Sequence, residues 1–446
     1  MAAFDSNPYR GQPVAVLGLG RSGDAAARLL ARCGAHVTAL ESADPADFAD
    51  KAAGLNALGI ETLFGGAANA FDAPCELAVI SPGIDPTSPL ARNVLGRGIR
   101  TIAEIELAHS LDRTPVVAIT GTNGKTTTTE LVAAMLQTGG LRSIAGGNIG
   151  KPYSEIVLEG NKFDVLTLEV SSFQLERIET FRPRVAVWLN LSPDHLDRYR
   201  DLAEYRAAKL RIFAFQTEDD FAIVNAAEEL PTLRAKRTTF SGYESNGDFA
   251  LDGRSIRFQG QPVLDLETTR LRGPHNAENA MAALGVARAL DRTFASVVTA
   301  LRDYQPAPHR CELVAQRGGI DFVNDSKATN LDALEKALRS EARPVVLIAG
   351  GKDKGFAFGS LAPLVAAKVR RAVLIGEMAG RIESDWRAFV PCEQAGFSLE
   401  RAFQLATAAA RPGDVVLFSP GTSSFDMFKN YADRGDQFRT LAQLAS

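Results

Sequence analysis

The sequence predicts an α/β protein divided into three domains. Short apolar runs alternate with segments of helical period along the whole chain, the pattern of mainly parallel sheets. At 446 residues the chain is longer than one hydrophobic core usually serves. One interval, 237–272, departs from the pattern: its apolar residues alternate, and turn dipeptides such as Asn246-Gly247 and Asp252-Gly253 predict antiparallel hairpins attached to an α/β domain. Boundaries are expected near Ala103, before "EIELAHS", and near "DYQPAPHR" (303–310), where two prolines interrupt a helical stretch. The expected domains are therefore 1–103, 104–307 and 308–446.

The first run, "VAVLG" (14–18), opens into a G-x-G-x-x-G loop at Gly18, Gly20 and Gly23 and then a helix, with Glu41 ending the next strand. This is a dinucleotide-binding pattern in its proper context. The glycines report close backbone approach at a helix N-terminus and do not identify the nucleotide. A bound nucleotide of some kind and mere tight packing both remain open, and a nicotinamide dehydrogenase is one alternative. "LAVISPG" (77–83) ends a further strand of the same domain.

The next run, "VVAITG" (116–121), leads into Gly121-Thr122-Asn123-Gly124-Lys125-Thr126-Thr127 and a helical stretch. A full P-loop would have glycine at 119, where this chain has Ile119. The shorter loop still presents backbone N–H groups and a positive helix end to a phosphate, with Lys125 as cation and Thr126 as a magnesium-ligand candidate. The plain alternative is a glycine-rich strand-to-helix turn. "DVLTLEV" (164–170) places Glu169 at a strand end, and the segment after "VAVWLNL" (185–191) supplies Asp194, His195 and Asp197. A carboxylate and an imidazole beside a phosphate loop suit a divalent cation, although a loop histidine is more often a capping or surface residue. By type and position alone, Lys209 in "EYRAAKLRIF" reads as a helical lysine with its head in solvent.

In the last third, "VVLIAGG" (345–351), "AVLIGE" (372–377) and "VVLFSPG" (415–421) read as strands, and ligands of open α/β sheets bind beyond the carboxyl ends of strands. Arg310, Lys327 and Lys354, on loops, suggest an anion-binding face.

A net charge of −4 and a pI near 5.9 give no general attraction for nucleic acid, so phosphate binding must be local. The start lacks the basic region and apolar core of a signal peptide, and no run reaches bilayer length, so a cytoplasmic protein without membrane insertion is expected. Cys33, Cys75, Cys311 and Cys392 lack the close spacing of zinc sites or redox dithiols and are expected to be buried thiols.

Taken together, "GTNGKTTT", "LEVSSFQLE" (168–176), "DHLDRY" (194–199), "YRAAKLRIF" (205–213), "GPHNAENAMAA" (273–283), "HR" (309–310), "DSKATN" (325–330) and "SPGTSSFDMFKNYADRG" (419–435) resemble the Mur ligase family, in order and over essentially the whole chain. "GLGRSG", "ISPGI", "DHLDRY" and the last segment are most similar to the members that join D-glutamate to UDP-N-acetylmuramoyl-L-alanine. The resemblance implies a Rossmann-like N-terminal domain holding UDP, a central P-loop-type ATPase domain and a Rossmann-like C-terminal domain that binds the amino acid. It implies that ATP phosphorylates the substrate carboxylate, and that the incoming amine attacks the acyl phosphate, releasing ADP and phosphate during cytoplasmic peptidoglycan synthesis. A folylpolyglutamate-type ligase shares the ATPase logic but lacks the UDP-type domain ahead of "GTNGKT".

By the same resemblance Gly121, Thr122, Asn123, Gly124, Lys125, Thr126 and Thr127 cradle ATP phosphates, and Asn276 and Asn279 lie on the adenine side. Thr126, Glu169 and His195 belong to two magnesium sites, supported by Lys209 as its carbamate. His309, Arg310, Asp325 and Lys327 meet the nucleotide when the C-terminal domain closes, and Lys125, Glu169, His195, Lys209 and Arg310 form the catalytic set. Gly20, Arg21, Ser22, Ser42, Gly83, Asn148 and His195 face the UDP substrate, and Thr329, Lys354, Ser424, Phe425 and Tyr431 face D-glutamate. One departure is Glu41-Ser42-Ala43, because the family commonly has a basic residue where Ala43 stands. A monomer is the working expectation.

Overall fold

A computed structural model describes residues 8–195, 198–244, 246–271 and 273–444. It contains three sheets with helices between their strands. The first holds β1 (Pro13–Leu17), β2 (His36–Glu41), β3 (Glu61–Phe64), β4 (Leu77–Ile80) and β5 (Arg100–Ala103). Their order is β3-β2-β1-β4-β5 and every pairing is parallel. The strand order therefore reverses between β1 and β4, the kind of switch point at which open α/β sheets bind ligands.

The second sheet holds β6 (Val116–Thr120), β7 (Ser143–Gly147), β8 (Val165–Glu169), β9 (Val185–Trp188), β10 (Phe221–Asn225), β11 (Lys236–Ser241), β12 (Phe249–Asp252), β13 (Ser255–Phe258) and β14 (Gln261–Asp265). The order is β14-β13-β12-β11-β10-β9-β6-β8-β7. Its centre is covered on both faces: all five residues of β6 and all five of β8 are buried, as a parallel strand covered by helices requires. The expected hairpins are real only from β12 onward, where β12–β13 and β13–β14 are antiparallel. Asp252-Gly253 makes a hairpin turn with Gly253 at φ +58°, whereas β11 pairs in parallel with both β10 and β12. The segment around Asn246-Gly247 is therefore a connection between parallel strands and not a hairpin turn, a correction to the sequence reading. Alternating apolar residues mark a half-exposed strand without fixing the direction of its partner.

The third sheet holds β15 (Glu312–Arg317), β16 (Ile320–Asn324), β17 (Val345–Gly350), β18 (Val369–Ile375), β19 (Cys392–Gly396) and β20 (Val415–Phe418), in the order β15-β16-β20-β17-β18-β19. Only β15 is antiparallel to its neighbour. The last strand, β20, lies between β16 and β17, so three loops remote in sequence leave the sheet side by side.

By contact density the chain forms two compact units, one of Met1–Leu191, Arg198–Asp265 and Glu278–Arg302, the other of Ser192–Asp197, Leu266–Ala277 and Asp303–Ser446. Cys33 is buried as expected, but Cys75, Cys311 and Cys392 are partly exposed, because each lies at the margin of a core. Among the described residues no helix is long and apolar enough to cross a membrane.

Candidate functional site

In the first sheet the three glycines of the first loop do different things. Gly18 sits at φ +85°, where a Cβ would also stand 2.8 Å from Ile84, and a Cβ on Gly23 would stand 1.7 Å from the Gly18 carbonyl oxygen, so the first is fixed by its backbone and the segment after β4 and the second by the packing of the helix Arg21–Arg32 on β1. Gly20 has φ −60° at the N-cap of that helix and nothing within 4 Å of its missing Cβ. Gly83, after β4, is equally open. Helix-end N–H groups beside two open glycines form a surface that a ligand backbone or phosphate can approach closely.

Glu41 is turned into this loop: its carboxylate accepts the N–H of Leu19 at 2.8 Å and of Ala43 at 3.2 Å. The acid that a nicotinamide ribose would engage is thus committed to the protein's own backbone. Lys51 donates to the Leu19 carbonyl at 2.5 Å and places a cation at the loop although Ala43 supplies none. Ser42 bonds Asn69 at 2.9 Å, Arg21 is largely exposed 3.7 Å from Glu155, and Ser22 lies in the first turn of the helix.

The loop after β6 is tightly determined. Gly124 takes φ +85° immediately before the helix Lys125–Thr138, and a Cβ there would stand 2.4 Å from Asn279 Oδ1. Asn190, two residues beyond β9, grips the loop in both directions, accepting from the Asn123 N–H at 2.9 Å and donating to the Asn123 carbonyl at 3.1 Å. Its own carbonyl accepts the N–H of Thr122 at 3.0 Å. Reading "VAVWLNL" as strand alone hid this role; the polar Asn190 closing an apolar run was the available signal.

At the ends of β6, β7 and β8, Glu169 accepts from Thr126 Oγ1 at 2.8 Å on one carboxylate oxygen and from Asn148 Nδ2 at 3.0 Å on the other. The close approach requires Gly147, whose Cβ would lie 2.4 Å from the Glu169 carbonyl oxygen. Lys125 Nζ donates to the carbonyls of Gly121 at 2.9 Å and Thr122 at 2.8 Å. Lys209 Nζ reaches the same Gly121 carbonyl at 2.9 Å and lies 4.6 Å from the Tyr205 ring centre. Only 1% of Lys209 is exposed, so the solvated-head reading is wrong.

The second unit gathers the C-terminal candidates at the ends of β16, β17 and β20. Asp325 is buried, accepting from Ser419 Oγ at 2.7 Å and the Cys311 N–H at 3.2 Å; desolvation raises its pKa to about 6, opposed in part by Arg310. His309, at φ +66°, bonds Asn324 through Nδ1 at 3.0 Å, and burial lowers its pKa. A Cβ on Gly435 would stand 2.2 Å from that ring nitrogen, so the glycine of "DRGD" leaves room for the imidazole. Lys327 Nζ sits 3.7 Å over the Tyr431 ring centre, Ser424 is buried, and Phe425 is 67% exposed. Thr329 is partly exposed, and Asn276 lies in the first turn of the helix Pro274–Ala289.

Asp194 accepts from Asn330 Nδ2 at 3.2 Å and lies 3.5 Å from Lys354 Nζ. Its pKa falls despite the opposing desolvation, because His195 and Lys354 favour the carboxylate. His195 itself has φ +56°, and Asp197 lies outside the described residues. Arg434 was missed by sequence reasoning. It is fully buried, donates to Ser326 Oγ at 3.0 Å, the Ser326 carbonyl at 2.7 Å and the Thr422 carbonyl at 3.2 Å, and its pKa is pulled down to about 9 by burial. It ties the loop after β16 to the loop after β20.

Residues 119–287 match the Mur ligase middle domain, and 309–421 match the Mur ligase glutamate ligase domain. The chain is 43% identical to a UDP-N-acetylmuramoylalanine–D-glutamate ligase of Salinibacter ruber, over 96% of this chain and 97% of that one. It is also 43% identical to the enzyme of the same name from Nitratidesulfovibrio vulgaris, over 97% and 96%. Among solved structures it is similar in fold to a UDP-N-acetylmuramate-alanine ligase of Thermotoga maritima, with a TM-score of 0.62 at 20% identity over 98% of this chain and 100% of that one. A MurF of Acinetobacter baumannii gives the same TM-score at 17% identity, over 96% and 93%. With two family domains matched along the sequence and relatives alike from end to end, the chain belongs to the Mur ligase family.

Proposed function

We infer that this protein is an ATP-dependent ligase that joins D-glutamate to UDP-N-acetylmuramoyl-L-alanine in cytoplasmic peptidoglycan synthesis. The observation that carries the reading is the Thr126–Glu169–Asn148 network beside Lys125 and Lys209, within a chain that parallels D-glutamate ligases over almost its full length. We assign 1–103 to the UDP-substrate domain, 104–307 to the ATP domain and 308–446 to the amino-acid domain.

A carboxylate is a poor electrophile, so its phosphorylation supplies the leaving group, and fixed cations stabilise the charge that develops. Lys125, which donates to the Gly121 and Thr122 carbonyls, stands in the loop that would receive the terminal phosphate of ATP. Thr126 and Glu169 offer hard oxygen donors suited to magnesium. Magnesium is usually bound through one or two protein oxygens together with substrate phosphates and water, which suits this pair. Bound there, the ion would neutralise phosphate charge. We place His195 and carbamylated Lys209 in support of two such ions. Lys125 and Lys209 both reach the Gly121 carbonyl, a crowding of like charges that conversion of Lys209 to an anion relieves.

The nucleotide substrate is assigned to Gly20, Arg21, Ser22, Ser42, Gly83, Asn148 and His195, and the adenine side of ATP to Asn276 and Asn279. His309, Arg310, Asp325 and Lys327 are assigned to the nucleotide phosphates, and Thr329, Lys354, Ser424, Phe425 and Tyr431 to the amino acid. In this assignment Asp194 lies beside Lys354 where a substrate carboxylate would compete for the ammonium. The test of the carbamate is mass measurement of active enzyme under carbon dioxide. An adduct on Lys209 is expected, and active enzyme with only unmodified lysine contradicts it.

A further inference from the structure

Arg198 links three segments that are distant in sequence. Its guanidinium bonds Glu176 at 3.0 Å and extends toward the carbonyls of Pro82, at 3.5 Å, and Ile84, at 3.3 Å, the two residues that flank Gly83. Its plane lies over the Phe173 ring, 3.8 Å from the ring centre. Glu176 is held from the other side by Tyr199 Oη at 2.5 Å, and the Phe173 and Tyr199 rings stack at 5.9 Å.

Phe173 lies in the short helix Ser172–Leu175, which begins three residues after Glu169 and is fixed by a capping box between Ser171 and Gln174; Glu176 is its C-cap. The chain leaving the Glu169 strand end leads within three residues into this helix, and side-chain contacts run from its Phe173 and Glu176 to Arg198 and then to the backbone on both sides of Gly83. The fork of donors in a guanidinium can serve a carboxylate and two carbonyls at once while its face stacks on a ring, which an ammonium cannot reproduce. Misplacement of a substrate by about 1 Å can cost roughly a hundredfold in rate.

We propose that Arg198 is a positioning residue that sets the Gly83 loop, and with it the nucleotide substrate, in register with Glu169. The proposal rests on the assignment of Gly83 to that substrate. The test measures binding of UDP-N-acetylmuramoyl-L-alanine, and KM for each substrate, in the full-length enzyme and in Arg198→Lys, Arg198→Met and Glu176→Gln. Both Arg198 variants are expected to raise KM for the nucleotide substrate roughly tenfold or more, with KM for ATP within about twofold. Glu176→Gln, which keeps the carbonyl contacts, is expected to show a smaller rise in the same substrate and supplies the readout if the Arg198 variants do not fold. A lowered melting temperature with unchanged nucleotide KM, or equal losses for ATP and nucleotide, overturns the proposal alone. Failure of the unaltered enzyme to bind the nucleotide overturns the site assignment and this proposal with it.

Discussion

At the residue scale, the proposed phosphate loop rests on Lys125, whose ammonium donates to the Gly121 and Thr122 carbonyls. Lys125→Ala is expected to lower phosphate release by roughly 10²–10³-fold, the usual cost of deleting one fixed electrostatic partner of a transition state. Near-normal release would remove the ATP site from this loop. Arg310 lies close enough to oppose the raised pKa of Asp325, yet its proposed partner is phosphoryl charge. Arg310→Ala should therefore reduce turnover far more than ATP affinity, as steady-state and equilibrium measurements on the same variant would show, and unchanged kinetics would place it outside the site. The sequence made Lys125 and Glu169 legible because their neighbours fix a strand end. Lys209 needed the resemblance, since nothing in "EYRAAKLRIF" reveals that its head group is buried against Gly121. Asn190, Arg198 and Arg434 were hidden because each works through backbone carbonyls of segments distant in sequence, and a carbonyl leaves no trace in residue type.

At the scale of elements, G-x-G-x-x-G separates into packing and access. Gly23→Ala forces a Cβ against the Gly18 carbonyl and should destabilise the protein by about 1–3 kcal/mol or more, read as a lower melting temperature. Gly20→Ala fits its backbone conformation and touches nothing, so it should fold normally and lose affinity only for the nucleotide substrate. If the two variants behave alike, the division is wrong. Glu104 begins the helix Glu104–Leu111, accepts the Ser154 N–H at 2.5 Å, and is raised by burial to about 7 from an ordinary 4.5. The folded state then holds a proton that the unfolded state releases between those values. Its stabilising effect is complete below pH about 4.5 and is lost as pH rises through about 7. Denaturation of Glu104→Gln across this window should show a flatter decline with pH than the unaltered protein; equal slopes would mean that Glu104 is not protonated in the fold.

For the whole molecule, alternation of apolar runs with helical segments was enough to foresee parallel α/β sheets. It did not foresee where β20 would pair, because strand order is set by packing between distant segments. That insertion between β16 and β17 is what brings the 325–329, 351–354 and 419–425 loops out beside one another. The hairpin reading of 237–272 failed at its first strand for a related reason, since alternation reports burial on one face and not the direction of the neighbour. The reaction as a whole is tested most directly by phosphate release from ATP with UDP-N-acetylmuramoyl-L-alanine, comparing D-glutamate, L-glutamate, meso-diaminopimelate and lysine as acceptors. Release coupled to peptide-bond formation with D-glutamate, and little with the other three, is the predicted result; preference for another acceptor, or no release with any of them, would contradict the account.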